Sequence, residues 1–235
     1  MKLYVGTSGY SYKEWKGNFY PEKLPANEML AFYAGKLPSV EINNTFYRVP
    51  KREVLEGWAA KVPGDFRFVL KATQRITHFK RLRNAGEEVD YFLRTTSTLG
   101  GRLGAILFQL PPNLKKDAAV LGEFLDHLPE GTPAAFEFRH VTWFDDEIYG
   151  LLKRRNCALC VADAEGDVDV PFAATADWGY LRLRRPDYGQ PAIASWAGKI
   201  LAQTWRHAFV FFKHEEAGAG PRMAAEFLHA AEHAG

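Results

Sequence analysis

Short apolar runs recur along the chain, and most are followed by a stretch in which apolar residues return every three or four positions. The runs occupy residues 3–9, 39–45, 67–73, 104–110, 134–139, 158–163, 179–184 and 207–214, each the length of a strand. Between them, 118–128 places Val120, Leu121, Phe124, Leu125 and Leu128 on one helical face. Residues 143–155 do the same with Phe144, Ile148, Leu151 and Leu152. Strands that alternate with helices predict parallel βαβ units. Eight such units in 235 residues, near the roughly 250 typical of the fold, predict an α/β chain that is a single-domain (β/α)8 TIM-type barrel over 1–235. The parallel sheet closes on itself inside a layer of outer helices. Residues 164–178 show no helical period, so one βα unit is predicted to be irregular, with a loop in place of its helix.

Composition narrows the class without choosing a function. Apolar residues make up 47% and charged residues 25%, which suits one large core and lacks the signature of disorder. A net charge of +2 permits anionic ligands but is not the strong basic excess of a nucleic-acid binder. One Lys and a few apolar residues before Gly6 are too short for a signal peptide, and no stretch approaches the roughly 18 apolar residues of a membrane span. The expectation is a soluble, cytoplasmic protein with no membrane partner; nothing in the sequence specifies an oligomeric state. The two cysteines, Cys157 and Cys160, form one CxxC. Zinc takes about four ligands, and three positions apart on a strand the thiols point to opposite faces. Small core residues are the expected reading.

Barrel enzymes keep their chemistry at the C-terminal ends of the strands, and there the runs turn polar. Ser8 lies at the end of the first run, with Glu41, Asn43 and Thr45 in the second, Lys71 in the third and Gln109 in the fourth. The series continues with Glu137, Arg139 and His140, then Asp163, then Arg182 and Arg184, then Lys213 and His214. Polar groups that converge on one face of a fold are candidates for a ligand site. Glu137 and Arg139 share a strand face about 7 Å apart, opposite Phe136 and Phe138. Two carboxylates in different surroundings can divide acid and base roles, whereas a carboxylate that only anchors a basic neighbour has no such part. Lys71 suits anion binding better than a Schiff base, since no feature requires a carbonyl substrate. His78, His140 and His214 with Glu41, Glu137 and Asp163 are metal-ligand types. No HExxH or similar spacing joins them, so no metal or cofactor is assigned.

The loop at 9–21 interleaves Tyr10, Tyr12, Trp15, Phe19 and Tyr20 with Lys13 and Lys16. That mixture suits stacking on a sugar or a base, or simply packing the loop over the barrel. Basic runs at 80–83, 153–155 and 182–185 are more often solvated faces than binding stripes.

VGTSGYSYKEWKGNFYP, VEINNTFYRVP, KATQRITH, LFQLPP, FEFRHVTWF and ADWGYLRL follow one another in this order. Together they resemble the YecE-like family, a bacterial and archaeal domain of unknown function, across nearly the whole chain. The resemblance implies a TIM barrel and places Ser8, Tyr12, Trp15, Glu41, Asn43, Thr45, Tyr47, Lys71 and His78 at family motif positions. It does the same for Gln109, Glu137, Arg139, His140, Trp143 and Asp163, and implies no reaction. The chain departs from the family pattern at Arg184-Arg185, where a His-Gly pair is usual, and at Lys213-His214-Glu215, where a double Asn and an acid are usual.

The functional expectation is an enzyme using acid–base chemistry, by hydrolysis, isomerisation or elimination, on a small phosphate- or carboxylate-bearing anion. Glu41 and Glu137 are the expected acid and base, Lys71 and Asp163 further catalytic candidates. Arg139, Arg182 and Lys213 are expected to hold the anion, with Ser8, Tyr12, Trp15, Asn43, Thr45, Tyr47, His78, Gln109, His140 and Trp143 around it. The competing expectation is a non-catalytic binder of nucleic acid or a phosphorylated metabolite.

Overall fold

The computed structural model describes residues 1–166 and 168–233. Position 167 of the expected loop and the last two residues of the expected 1–235 domain lie outside the described residues. Eight strands run parallel: β1 (Lys2–Ser8), β2 (Ser39–Ile42), β3 (Arg67–Lys71), β4 (Leu103–Gln109), β5 (Ala134–Glu137), β6 (Ala158–Asp163), β7 (Trp178–Leu183) and β8 (His207–Phe212). They pair in chain order, and β8 returns to β1, closing the barrel. Seven α-helices among the described residues lie between them: α1 (Met29–Ala34), α2 (Arg52–Ala60), α3 (Gly86–Thr96), α4 (Ala118–His127), α5 (Asp146–Arg154), α6 (Gln190–Leu201) and α7 (Ala219–Glu232). No helix is long and apolar enough to cross a membrane among those residues.

The strand period of two sorts side chains into two cores. Val5, Phe68, Phe108, Phe136, Phe138 and Phe212 face outward against the helices. Tyr4, Val69, Leu107, Tyr180, Phe209 and Phe211 fill the lumen, so the barrel is a packed core and not a pore. Cys157 belongs to the outer core and Cys160 to the inner one, both as free thiols. Burial pushes the Cys157 thiol up to about 12 and Cys160 well above its ordinary value, which leaves both unreactive.

Two helix starts follow from a single side chain each. Asp117 accepts a hydrogen bond from the Val120 amide and opens α4; Asp145 does so from Ile148 and opens α5. The expected helix at 143–155 therefore begins three residues late. Trp143 lies in a short 3₁₀ turn, Val141–Trp143, and stacks flat on Phe138 at 4.6 Å. Among the described residues the connection from β6 to β7 contains no helix, as expected. The Thr175 hydroxyl in that loop accepts from the Leu159 amide (2.7 Å) and donates to the Cys157 carbonyl (2.8 Å). Phe172 stacks on Trp205 at 5.6 Å and supplies apolar cover there.

The junction of β1 and β2 is tight. The Tyr33 hydroxyl, delivered by α1, accepts from the Thr7 amide (2.8 Å) and donates to the Ser39 carbonyl (2.9 Å). A Cβ on Gly6 would fall 1.9 Å from that same Ser39 oxygen. Backbone cannot give way as a side-chain tip can, so Gly6→Ala is expected to cost about 3 kcal/mol, the upper part of the usual overpacking range. Urea unfolding measures it; a midpoint equal to wild type would show that the β1–β2 junction relaxes freely.

Candidate functional site

Seen from the C-terminal ends of the strands, Arg182 of β7 is the centre of the polar layer. It points into the lumen and is buried, yet carries a full charge between two carboxylates. Its Nη2 donates to Glu41 Oε1 (2.8 Å) and its Nη1 to Glu137 Oε2 (2.7 Å). Glu41 comes from β2 and Glu137 from β5, and both are fully buried. Glu41 also accepts from Ser8 Oγ (2.7 Å) and Asn43 Nδ2 (2.9 Å) on Oε1, and from the Tyr180 hydroxyl (2.6 Å) on Oε2. Glu137 Oε1 takes Gln109 Nε2 at 2.9 Å and Arg184 Nη2 at 3.4 Å.

Burial alone would raise both carboxyl groups. The Arg182 guanidinium and the converging donors outweigh it, holding Glu41 down to about 2 and Glu137 below the usual carboxylate range. Both are therefore ionised. Burial pushes the Tyr180 hydroxyl well up, and the adjacent Glu41 charge pushes it further, so it stays a donor.

Lys71 stands at the edge of this layer. Its Nζ donates to Gln109 Oε1 (2.7 Å) and lies 4.3 Å from the centre of the Phe46 ring. The Thr45 hydroxyl donates to the Lys71 carbonyl (2.7 Å), fixing the end of β3 against the end of β2. Burial and the positive field of Arg182, only partly offset by Glu137 and Glu41, lower Lys71 to about 8; Arg139 adds to the lowering. His78, edge-on to Phe46 and bonded through Nδ1 to Thr77, is lowered by burial, by Lys71 and by Arg139.

The structure thus brings Ser8, Glu41, Asn43, Lys71, Gln109, Glu137 and Arg182 into one bonded layer, with Thr45, His78 and Arg139 beside it. Other candidates stand elsewhere. Trp143 is packed on the outer face, its Nε1 donating to the Leu114 carbonyl. The His140 ring is turned back on Thr142, where it caps a turn. Asp163 is bound by Arg185 Nε (2.7 Å) and the Tyr188 hydroxyl (2.9 Å), while His214 Nε2 donates to the Arg185 carbonyl. Lys213 and Tyr47 are exposed.

The aromatic loop packs onto the barrel. Trp15 is fully buried with its Nε1 on the Glu215 carbonyl, and the Tyr12 hydroxyl is bonded to the Ser8 carbonyl. Sequence reasoning did not single out Tyr180 or Phe46. Tyr180 was readable from the alternation Tyr180, Arg182, Arg184, whereas nothing in the sequence marks Phe46 as the ring under Lys71. No three His, Cys, Asp or Glu side chains converge in a way that could hold a metal ion among the described residues.

Residues 4–235 match the family described as "Protein of unknown function DUF72". YunF of Bacillus subtilis, a UPF0759 protein, is 29% identical over 92% of this chain and 90% of its own length. YecE of Escherichia coli, also a UPF0759 protein, is 33% identical over a segment that spans 60% of this chain and 50% of YecE. The crystal structure of a DUF72 family protein from Thermotoga maritima superposes with a TM-score of 0.83 at 26% identity, covering 99% of this chain and 100% of that one. A second, from Enterococcus faecalis, gives 0.80 at 21% identity over 98% of both chains.

The Arg182 bridge makes a prediction of opposite sign for wild type and variant. In wild type, Glu41 is lowered from 4.5 to about 2, so its stabilisation is present above 4.5 and is lost as pH falls towards 2. Arg182→Met strands two buried carboxylates and is expected to cost about 3–5 kcal/mol at neutral pH. Their pKa values then rise, the folded state takes up protons before the unfolded state does, and part of the loss returns on acidification. Urea unfolding across pH reads both curves. Acid destabilisation of Arg182→Met in parallel with wild type would show that the carboxylates do not depend on Arg182.

Proposed function

The chain belongs to the DUF72 family of proteins of unknown function, and within that family we propose that it is an enzyme that moves a proton on a small anionic substrate, with Lys71 as the proton-transferring group. The observation that carries this reading is the placement of Lys71. It sits at the C-terminal end of β3, where barrels keep their chemistry, and its ammonium is lowered to about 8 by burial and neighbouring cations. A group that titrates near neutrality can both take and return a proton. Glu41 and Glu137, held ionised by Arg182, are poor proton carriers, and the reading gives them a fixed electrostatic role instead.

The cations around Lys71 support an anionic substrate: Arg182 and Arg139 both act on its ammonium. The reading places a phosphate or carboxylate beside Lys71, since an ammonium and forked guanidinium donors suit both groups. Asp163 is committed to Arg185 and Tyr188 and has no part in this reading.

The test needs no prior substrate. Incubating the protein with a bacterial metabolite extract and following it by mass spectrometry is expected to show consumption of at least one phosphate- or carboxylate-bearing compound. Lys71→Met is expected to slow that consumption by about 10²–10⁴-fold, the usual worth of a positioned acid–base group. With the consumed compound in hand, kcat/KM should climb about tenfold per pH unit below a bend near pH 8 and level off above it, since only neutral Lys71 accepts a proton. Equal consumption by wild type and Lys71→Met would remove Lys71 from the chemistry. No consumption by wild type would leave a non-catalytic binding protein.

A further inference from the structure

A groove beside the proposed site has features that an anion alone does not use, and we propose that it seats the base of a nucleoside monophosphate whose phosphate lies beside Lys71. The proposal rests on the reading that this face binds an anion, and it adds the class of ligand. The groove is a cavity of about 580 Å³, within the usual range for small-molecule sites. Its wall includes Tyr47, Arg48, Lys51, Thr73, Arg75 and Tyr91.

Large apolar rings are normally covered by the fold, so exposed ones carry information. Among the described residues three aromatic side chains are exposed, Tyr47 at 73%, Phe79 at 71% and Tyr91 at 52%. All three lie on the flank formed after β2 and β3, and two of them line this groove. Rings and guanidinium planes are the two protein surfaces that stack on a nucleobase, and here Tyr47 and Tyr91 share a wall with Arg48 and Arg75.

The groove adjoins the proposed site. Lys71 Nζ sits 4.3 Å over the Phe46 ring, and the same ring meets Tyr47 at 5.1 Å. Thr73, two residues beyond Lys71, lines the groove itself. One ligand can therefore place an anionic group at Lys71 and a flat group against Tyr47. Glu87 and Glu88 lie in the same wall, Glu88 paired with Lys80 at 2.7 Å, so the groove is not the uniformly basic track that a strand's backbone follows. That favours a free nucleotide over a polynucleotide strand.

Isothermal titration of the full chain compares the four common nucleoside 5′-monophosphates with ribose 5-phosphate and with a 5′-phosphorylated single-stranded oligonucleotide. At least one nucleoside monophosphate is expected to bind about tenfold or more tightly than ribose 5-phosphate, the gain from one stacked base. Tyr47→Ala, at an exposed position, is expected to erase that gain and leave ribose 5-phosphate binding unchanged; Tyr91→Ala should reduce it. Lys71→Met should weaken every phosphate-bearing probe. Nucleotides that bind no more tightly than ribose 5-phosphate, or a gain insensitive to Tyr47→Ala, would overturn the groove assignment while leaving the anion site standing. Failure of all phosphate-bearing probes to bind would overturn both. Tighter binding of the oligonucleotide than of any free nucleotide would overturn the free-nucleotide assignment in favour of a strand end.

Discussion

One guanidinium between two carboxylates governs the upper half of this barrel. Removing Arg182, Glu41 and Glu137 from water costs several kcal/mol per ion, and only a near-complete set of short, well-aimed hydrogen bonds offsets that. The structure provides the set: each Arg182 Nη bonds one carboxylate, and Ser8, Asn43, Tyr180 and Gln109 occupy most of the remaining acceptor positions. The three ions come from β2, β5 and β7, which are not neighbours in the sheet. Their contact therefore spans the lumen and adds to the ladder between adjacent strands a constraint that the ladder cannot supply.

That constraint propagates to Lys71. Glu137 orients the Gln109 amide by accepting from its nitrogen, and the Gln109 oxygen is then aimed at Lys71 Nζ. The same arrangement tunes the lysine: burial lowers it most, Arg182 and Arg139 add to that, and Glu137 and Glu41 oppose them. The partner that makes the burial of Glu41 and Glu137 tolerable also holds both ionised.

This is also where the sequence stops being legible. Strand number and the helix-free unit follow from periodicity, a local property that each segment carries by itself, and closure from eight units in 235 residues. The inward direction of Glu41, Glu137 and Arg182 follows from the same period, since Phe136 and Phe138 had to face the helices. What periodicity leaves open is which polar ends touch. Arg182 and Glu41 are 141 positions apart, and their contact depends on strand tilt and stagger around a closed sheet. Trp143 and His140 show the converse. They stand close to Glu137 in the chain, but a turn beyond β5 carries one to the outer core and folds the other back on Thr142.

The aromatic filling of the lumen has a consequence for traffic. Below the ionic layer, Tyr180, Phe209, Phe211 and Tyr4 fill the axis, so a ligand of Lys71 approaches from the C-terminal face of the barrel. Under the proposed function, reactant and spent ligand then share that face, and occupancy by one excludes the other as a matter of geometry.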